Sequence, residues 1–254
     1  MRLALVTGTS SGIGDALAHE LLRRGWSVIG VSRRPSVIET DRYTHLRVDL
    51  QDPAAMIGRI EASIGARLSD PGVGRLGLVN NAAHIALLGP VPQIDPAELL
   101  KVYAVNIAAP VSLMGLLLRR GRPGCPLRIV NVSSGAATRP LPGMAAYCTS
   151  KAALRMAGMV LAAELEDDGP TGRQHADATF LSYEPGIVDT EMQAAARSAS
   201  QAVMPMVQMF KQFAAEGRLA PPAAPAAEIA DYLEGDRHPK FSEWRHGGPQ
   251  ARQT

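Results

Sequence analysis

The chain has 254 residues, 46% of them hydrophobic and 20% charged, which is enough apolar content for a full core and excludes a disordered chain or a small disulfide scaffold. Its 26 Lys and Arg against 24 Asp and Glu leave a formal charge of +2, no electrostatic basis for binding nucleic acid or an anionic membrane surface. Two cysteines, Cys125 and Cys148, without a Cys/His cluster exclude a structural zinc site.

Short β-rich runs recur at Leu3–Thr7, Ser27–Ser32, His45–Asp49, Leu76–Asn80, Leu127–Ser133 and Ala178–Tyr183. Segments with helical apolar spacing separate them, at Ile13–Arg24, Ala54–Ile64, Ala97–Leu118 and Ala145–Glu166. Strands apolar on both faces that alternate with helices predict βαβ units and a doubly wound parallel sheet, covered on each side as a three-layer α/β/α domain over residues 1–254. The Asp-, Gly- and Pro-rich stretch Glu166–Asp177 reads as a surface loop, and Pro221, Pro222 and Pro225 as a turn region. The first strand follows Met1-Arg2 directly, with no signal-peptide pattern, and no run approaches the ~18 consecutive apolar residues of a membrane helix. A cytoplasmic chain with no membrane partner is expected.

The first strand runs into Thr7-Gly8-Thr9-Ser10-Ser11-Gly12-Ile13-Gly14, which opens a helix. Glycines at such a βα junction let a diphosphate approach the backbone N–H groups and the positive end of the helix dipole. No GK[ST] follows, so a Walker-type loop is disfavoured, and Gly8, Ser10, Ser11, Gly12, Ile13 and Gly14 are candidates for a Rossmann-type dinucleotide site. The second strand ends Ser32-Arg33-Arg34, where an NAD site carries an acid for the ribose hydroxyls. An Arg fork there clamps a 2′-phosphate, so Arg33 and Arg34 favour NADPH over NADH; the plain alternative is a pair of solvated arginines. Asp49 and Leu50, closing the third strand, are placed to meet the adenine, unless Asp49 only caps the helix beginning near Pro53.

The chemistry-bearing residues come later. Ser134 ends a strand, and Tyr147 and Lys151, four apart, share one helix face. Moving a proton to or from an alcohol near neutrality calls for an acid better matched than a phenol of pKa about 10, and a nearby ammonium lowers that value. Ser134 then holds the substrate oxygen while Tyr147 exchanges the proton. No residue of the three is diagnostic alone; their order and spacing after a glycine turn are.

From Thr7-Gly8 to about Met192 the chain resembles the short-chain dehydrogenase/reductase family, through Gly8/Gly12/Gly14, Asn80-Asn81-Ala82-Ala83, Asn106, Ser134, Tyr147/Lys151 and Pro185-Gly186 to Thr190. Ala83 stands where the family usually has Gly. The resemblance implies that Asn106 holds a water linking Lys151 to solvent and completes a catalytic tetrad. It also implies that Tyr147 and Lys151 meet the nicotinamide ribose, that Asn81 and Ala82 line the cofactor, and that Pro185, Gly186, Val188 and Thr190 contact its nicotinamide end. Tyr147-Cys148-Thr149-Ser150-Lys151, Tyr183 to Gln193 and Glu216 to Leu219 are similar to sepiapterin reductases and bacterial benzil reductases, NADPH enzymes acting on ketones or vicinal dicarbonyls. The tail Phe241–Gly248 lacks the acid that recognises a pterin in the former. A lid over about 190–225 is implied. Within it Met192, Met204, Met206, Met209, Phe210 and Phe213 either meet an apolar substrate or pack a helix; Ser134, Tyr147, Gly186 and Met192 are the substrate-contact candidates. Relatives pair the helices near Ala97–Leu118 and Ala145–Glu166, implying a homodimer or homotetramer. The expectation is an NADPH-dependent carbonyl reductase without a metal. Its alternatives are an NAD(P)-dependent alcohol or steroid-type dehydrogenase and a non-catalytic nucleotide-binding redox sensor.

Overall fold

The computed structural model describes residues 1–85, 88–167 and 169–248. β1 (Arg2–Thr7) passes through the glycine turn into α1 (Gly12–Arg23), followed by β2 (Ser27–Ser32), β3 (Tyr43–Arg47), α2 (Pro53–Leu68) and β4 (Arg75–Asn80). Then come α3 (Pro96–Tyr103), α4 (Ala109–Arg120), β5 (Leu127–Val132), α5 (Ala145–Glu166), α6 (Pro170–Gln174) and β6 (Ala178–Glu184). The chain continues through α7 (Glu191–Arg197), α8 (Val207–Ala215), α9 (Ala223–Glu234) and β7 (Phe241–Arg245). The seven strands form one parallel sheet in the order β3-β2-β1-β4-β5-β6-β7, the expected doubly wound architecture.

Two-sided burial explains the parallel sheet. Leu3 and Leu5 of β1 join one core layer with Met56 and Ile60 of α2 and Leu113 and Leu117 of α4. The alternate residues Ala4 and Val6 join the other, with Leu17 and Leu21 of α1 and Ile229 and Leu233 of α9. At roughly 1.5–3 kcal/mol for each large apolar side chain, these two layers dominate the folding energy.

Several boundaries differ from the sequence expectation. β3 starts at Tyr43, opposite Val28, and leaves the sheet before Asp49, because it is an edge strand whose half-exposed residues carry little alternation. Within the expected loop Glu166–Asp177, α6 forms a short helix. Pro221 and Pro222 directly precede α9 and Pro225 lies in its first turn, where proline's fixed φ and missing N–H are tolerated. The segment expected as one helix over Ala97–Leu118 is a rod, Pro96–Arg120, interrupted by a π-turn at Ala104–Ala108. By length and composition that rod is apolar enough to cross a membrane, with a mean hydropathy of 1.6; its Leu113, Leu116 and Leu117 are buried in the first core layer. β7 adds a seventh strand beyond the six expected.

The order of strands positions the site. From β1 the chain winds outward to β2 and β3, then returns to lay β4 on the other side of β1. Connections therefore diverge beyond the C-terminal ends of β1 and β4, and a crevice opens there.

Candidate active site

A cleft of about 890 Å³ follows the C-terminal ends of β1, β2, β4, β5 and β6. At one end lies the glycine turn. Gly8 has φ +76°, and a Cβ there would stand 2.8 Å from Asn81 Nδ2; at Gly14 a Cβ would meet the Gly8 carbonyl oxygen at 2.2 Å. Thr7 Oγ1 accepts hydrogen bonds from the N–H groups of Asn81 and Ala82, both at 3.0 Å, locking the ends of β1 and β4 together. Ser11 stands at the N-cap of α1 but makes no side-chain cap, so the first N–H groups of the helix lack that partner. A tight turn without room for side chains, leading to an uncapped helix N-terminus, fits a diphosphate group.

At the end of β2, Arg33 and Arg34 are both exposed and both line the cleft. Arg34 donates to Glu191 Oε2 at 2.8 Å and Oε1 at 3.2 Å, to Ser11 Oγ at 2.8 Å and to Ser10 Oγ at 3.3 Å. Asp49 and Leu50 line the same end. Asp49 accepts from Gln51 N, whereas the cap of α2 is Asp52, which accepts from Ala55 N at 3.0 Å. The capping alternative for Asp49 is thereby corrected: the residue directly before Pro53 has the reach.

The other end brings Ser134, Tyr147 and Lys151 together. Ser134 follows β5 and accepts from Ala136 N at 3.2 Å, which orients its hydroxyl. Tyr147, in the first turn of α5, has the Ser134 side chain near its hydroxyl. Lys151, one turn on, is buried; its Nζ donates to Val132 O at 2.7 Å and lies 5.6 Å from the centre of the Tyr147 ring. Burial pushes the Tyr147 hydroxyl up to about 12, outweighing the lowering influence of Ser134, and pushes Lys151 down to about 8. The expected lowering of the phenol by the ammonium is therefore not present in this structure. Nζ is aimed at the Val132 carbonyl oxygen, and the buried setting of the ring disfavours the phenolate.

Asn106 sits in the π-turn, behind the cleft wall. Its Nδ2 donates to His84 O and Ser150 Oγ, both at 3.0 Å, and its Oδ1 accepts from His84 N at 2.7 Å. The amide thus ties the segment after β4 to α5. Of the other residues singled out from sequence, Ser10, Ile13, Asn81, Ala82, Pro185, Gly186, Val188, Thr190 and Met192 line the cleft with those above, while Gly14 lies just behind it.

A family model described as short chain dehydrogenase matches residues 2–201. The chain belongs to the short-chain dehydrogenase family. It is 31% identical to a benzil reductase ((S)-benzoin forming) of Bacillus subtilis over 235 residues, covering 92% of this chain and 94% of the relative. A sepiapterin reductase of Xenopus tropicalis is 31% identical over 255 residues, covering 93% and 92% of the two chains. Among solved structures, a short chain dehydrogenases/reductase of Saccharomyces cerevisiae superposes with a TM-score of 0.79 at 26% identity, over 98% of this chain and 97% of that one. These likenesses place the chain among oxidoreductases of CH–OH and C=O groups, in a family that works with a nicotinamide cofactor.

The mouth of this short-chain dehydrogenase's cleft carries residues that sequence reasoning missed. Arg139 and Arg245 both approach Glu184 Oε1, at 3.1 and 3.6 Å, and all three line the cleft. Glu191 and the half-buried His84, which burial holds below the usual imidazole range, line it too. Arg139, five residues beyond Ser134, was the one findable signal; Arg245 depends on the unforeseen β7. The Met-rich segment divides between its two alternatives. Met204 is buried with Val207 and Met144, whereas Met192, Met209, Phe210 and Phe213 face the cleft.

Proposed function

We propose that the chain is an NADPH-dependent carbonyl reductase that converts a ketone or vicinal dicarbonyl, of the benzil or sepiapterin kind, to the alcohol. The observation that carries this reading is the convergence of Ser134, Tyr147 and Lys151 at one end of a cleft whose other end is the glycine turn. Gly8, Ser10, Ser11, Gly12, Ile13 and the Gly14 close contact would hold the diphosphate. Arg33 and Arg34 would hold the 2′-phosphate, Asp49 and Leu50 the adenine, and Asn81, Ala82, Pro185, Gly186, Val188 and Thr190 the remainder. When bound, the reduced cofactor supplies a hydride to the carbonyl carbon.

Ser134 orients the carbonyl oxygen. As the C=O π bond breaks and C–H and O–H bonds form, Tyr147 gives its hydroxyl proton to the oxygen. Lys151, one turn away and with its pKa brought down to about 8 by burial, returns a proton to the phenolate left behind. Asn106 keeps this end of the site in register through Ser150 and the His84 backbone. Met192, with Met209, Phe210 and Phe213, offers polarizable apolar surface to a substrate flank, and Gly186 leaves room beside it.

Exposed Leu100, Val111, Met156 and Val160 on α3, α4 and α5 support a homodimer or homotetramer through these helices. A cytoplasmic location accords with the reading.

Following NADPH absorbance with benzil, isatin, sepiapterin and simple ketones tests the activity. Turnover of a diketone with NADPH well above that with NADH is expected. A clear NADH preference overturns the cofactor assignment, and turnover confined to alcohol oxidation overturns the reductase assignment.

A further inference from the structure

Arg34, at the end of β2, and Glu191, the first residue of α7, lie 157 positions apart in the chain yet meet across the glycine turn. The Arg34 guanidinium takes both carboxylate oxygens of Glu191, at 2.8 and 3.2 Å, as a two-pronged fork. The same fork reaches Ser11 Oγ and Ser10 Oγ, and Ser11 Oγ also lies 3.5 Å from Glu191 Oε2. Next to Glu191, a Thr190 methyl group would lie 3.2 Å from a Cβ built at Gly12. A carboxylate of the chain itself therefore sits in an arginine-and-serine nest at the mouth of the nucleotide cleft. A bidentate guanidinium recognises carboxylate and phosphate with the same geometry, and it cannot offer the same pair of N–H groups to both.

Resting on the NADPH reading above, we infer that Glu191 competes with the cofactor's 2′-phosphate for Arg34 and so sets how strongly the site discriminates NADP(H) from NAD(H). Binding of a 2′-phosphorylated nucleotide exchanges one anion for another at Arg34 and releases Glu191 from the end of β2. A nucleotide with a bare 2′-hydroxyl has no group to displace the carboxylate and leaves the pair intact. The residue thus lowers affinity for the phosphorylated cofactor selectively. It also couples that phosphate to the start of the segment running from Thr190 over the cleft. Both side chains are more than half exposed, so the competition is modest.

Calorimetric titration of the full chain with adenosine 2′,5′-bisphosphate and with adenosine 5′-monophosphate isolates the 2′-phosphate without turnover. Glu191→Gln and Glu191→Ala are each expected to tighten the bisphosphate about threefold, the scale of an exposed guanidinium–carboxylate pair, and to leave the monophosphate unchanged. Arg34→Ala is expected to weaken the bisphosphate alone. If both Glu191 variants leave the bisphosphate unchanged, or tighten the two ligands equally, the competition is refuted while the NADPH reading stands. If Arg34→Ala, with wild-type circular dichroism, does not selectively weaken the bisphosphate, Arg34 is not the phosphate clamp and the reading beneath the competition fails.

Discussion

Lys151→Met is expected to make the protein more stable at neutral pH. Lys151 is 2% exposed, and burial takes its ammonium from an ordinary 10.5 to about 8. At about 1.4 kcal/mol per pH unit, this corresponds to about 3 kcal/mol held against the fold wherever the amine is charged in both states. Because the folded value is depressed, the unfolded chain binds the extra proton between about pH 8 and 10.5, and stability rises with pH across that window. Below about pH 8 the full cost is present; above about 10.5 it is gone. Methionine matches the lysine stem in volume and removes the charge, while forfeiting the hydrogen bond to Val132 O, worth about 1 kcal/mol. The net gain at pH 7 is about 2 kcal/mol, or roughly 4–8 °C in Tm for a chain of this size. Urea unfolding followed by circular dichroism at pH 7, 9 and 10.5 reads it: the variant's advantage is largest at pH 7, shrinks with rising pH and reverses slightly at the top. A variant less stable than wild type at pH 7, or a gap that does not change with pH, would refute the reasoning.

Three further outcomes follow from the same geometry. Tyr147→Phe removes the proton donor and keeps the ring, so kcat for carbonyl reduction should drop by about a thousandfold while NADPH still binds, as read by fluorescence titration; retained turnover removes Tyr147 from the mechanism. Tyr147 keeps its proton to about 12, so kcat/KM for reduction should stay level through neutrality and decline above about pH 8 as Lys151 loses its charge; a rate that climbs through pH 8 contradicts this assignment. Arg128, fully buried on β5, donates to the carbonyls of Gly235 and Asp236 at 3.0 Å each and pairs with Asp177. Arg128→Met should cost about 2 kcal/mol in urea unfolding, because Asp236 O and Asp177 lose a charged donor while Gly235 O keeps Arg75; a loss below about 1 kcal/mol would show that the loop re-pairs.

Much of the site was readable before the fold because its parts are local. The glycine turn needs only neighbouring residues, since positive φ at Gly8 and Gly12 and the absence of Cβ at Gly14 are properties of those residues themselves. Tyr147 and Lys151 share a face by helix geometry alone. The edge elements were harder. β3 and β7 are five residues each and only partly buried, so their patterns carry little periodicity, and β7 is defined by Phe241 lying opposite Phe180 rather than by its own composition. The π-turn at Asn106 follows from the amide's bonds to His84 and Ser150, partners 22 and 44 positions away.

Strand and helix alternation, the phosphate-sized turn and the Ser–Tyr–Lys set were thus written in the order of residues, because short-range sterics and hydrophobic periodicity act between near neighbours. Charge balance at the site was not. Whether Lys151 acidifies Tyr147 depends on how deeply both are buried and where Nζ points, and burial raised the phenol instead. Whether Arg34 is a free clamp depends on Glu191, which reaches it only after the chain has crossed the sheet and turned back. Desolvation and ion pairing act through space, so they come into being only when distant segments are packed together.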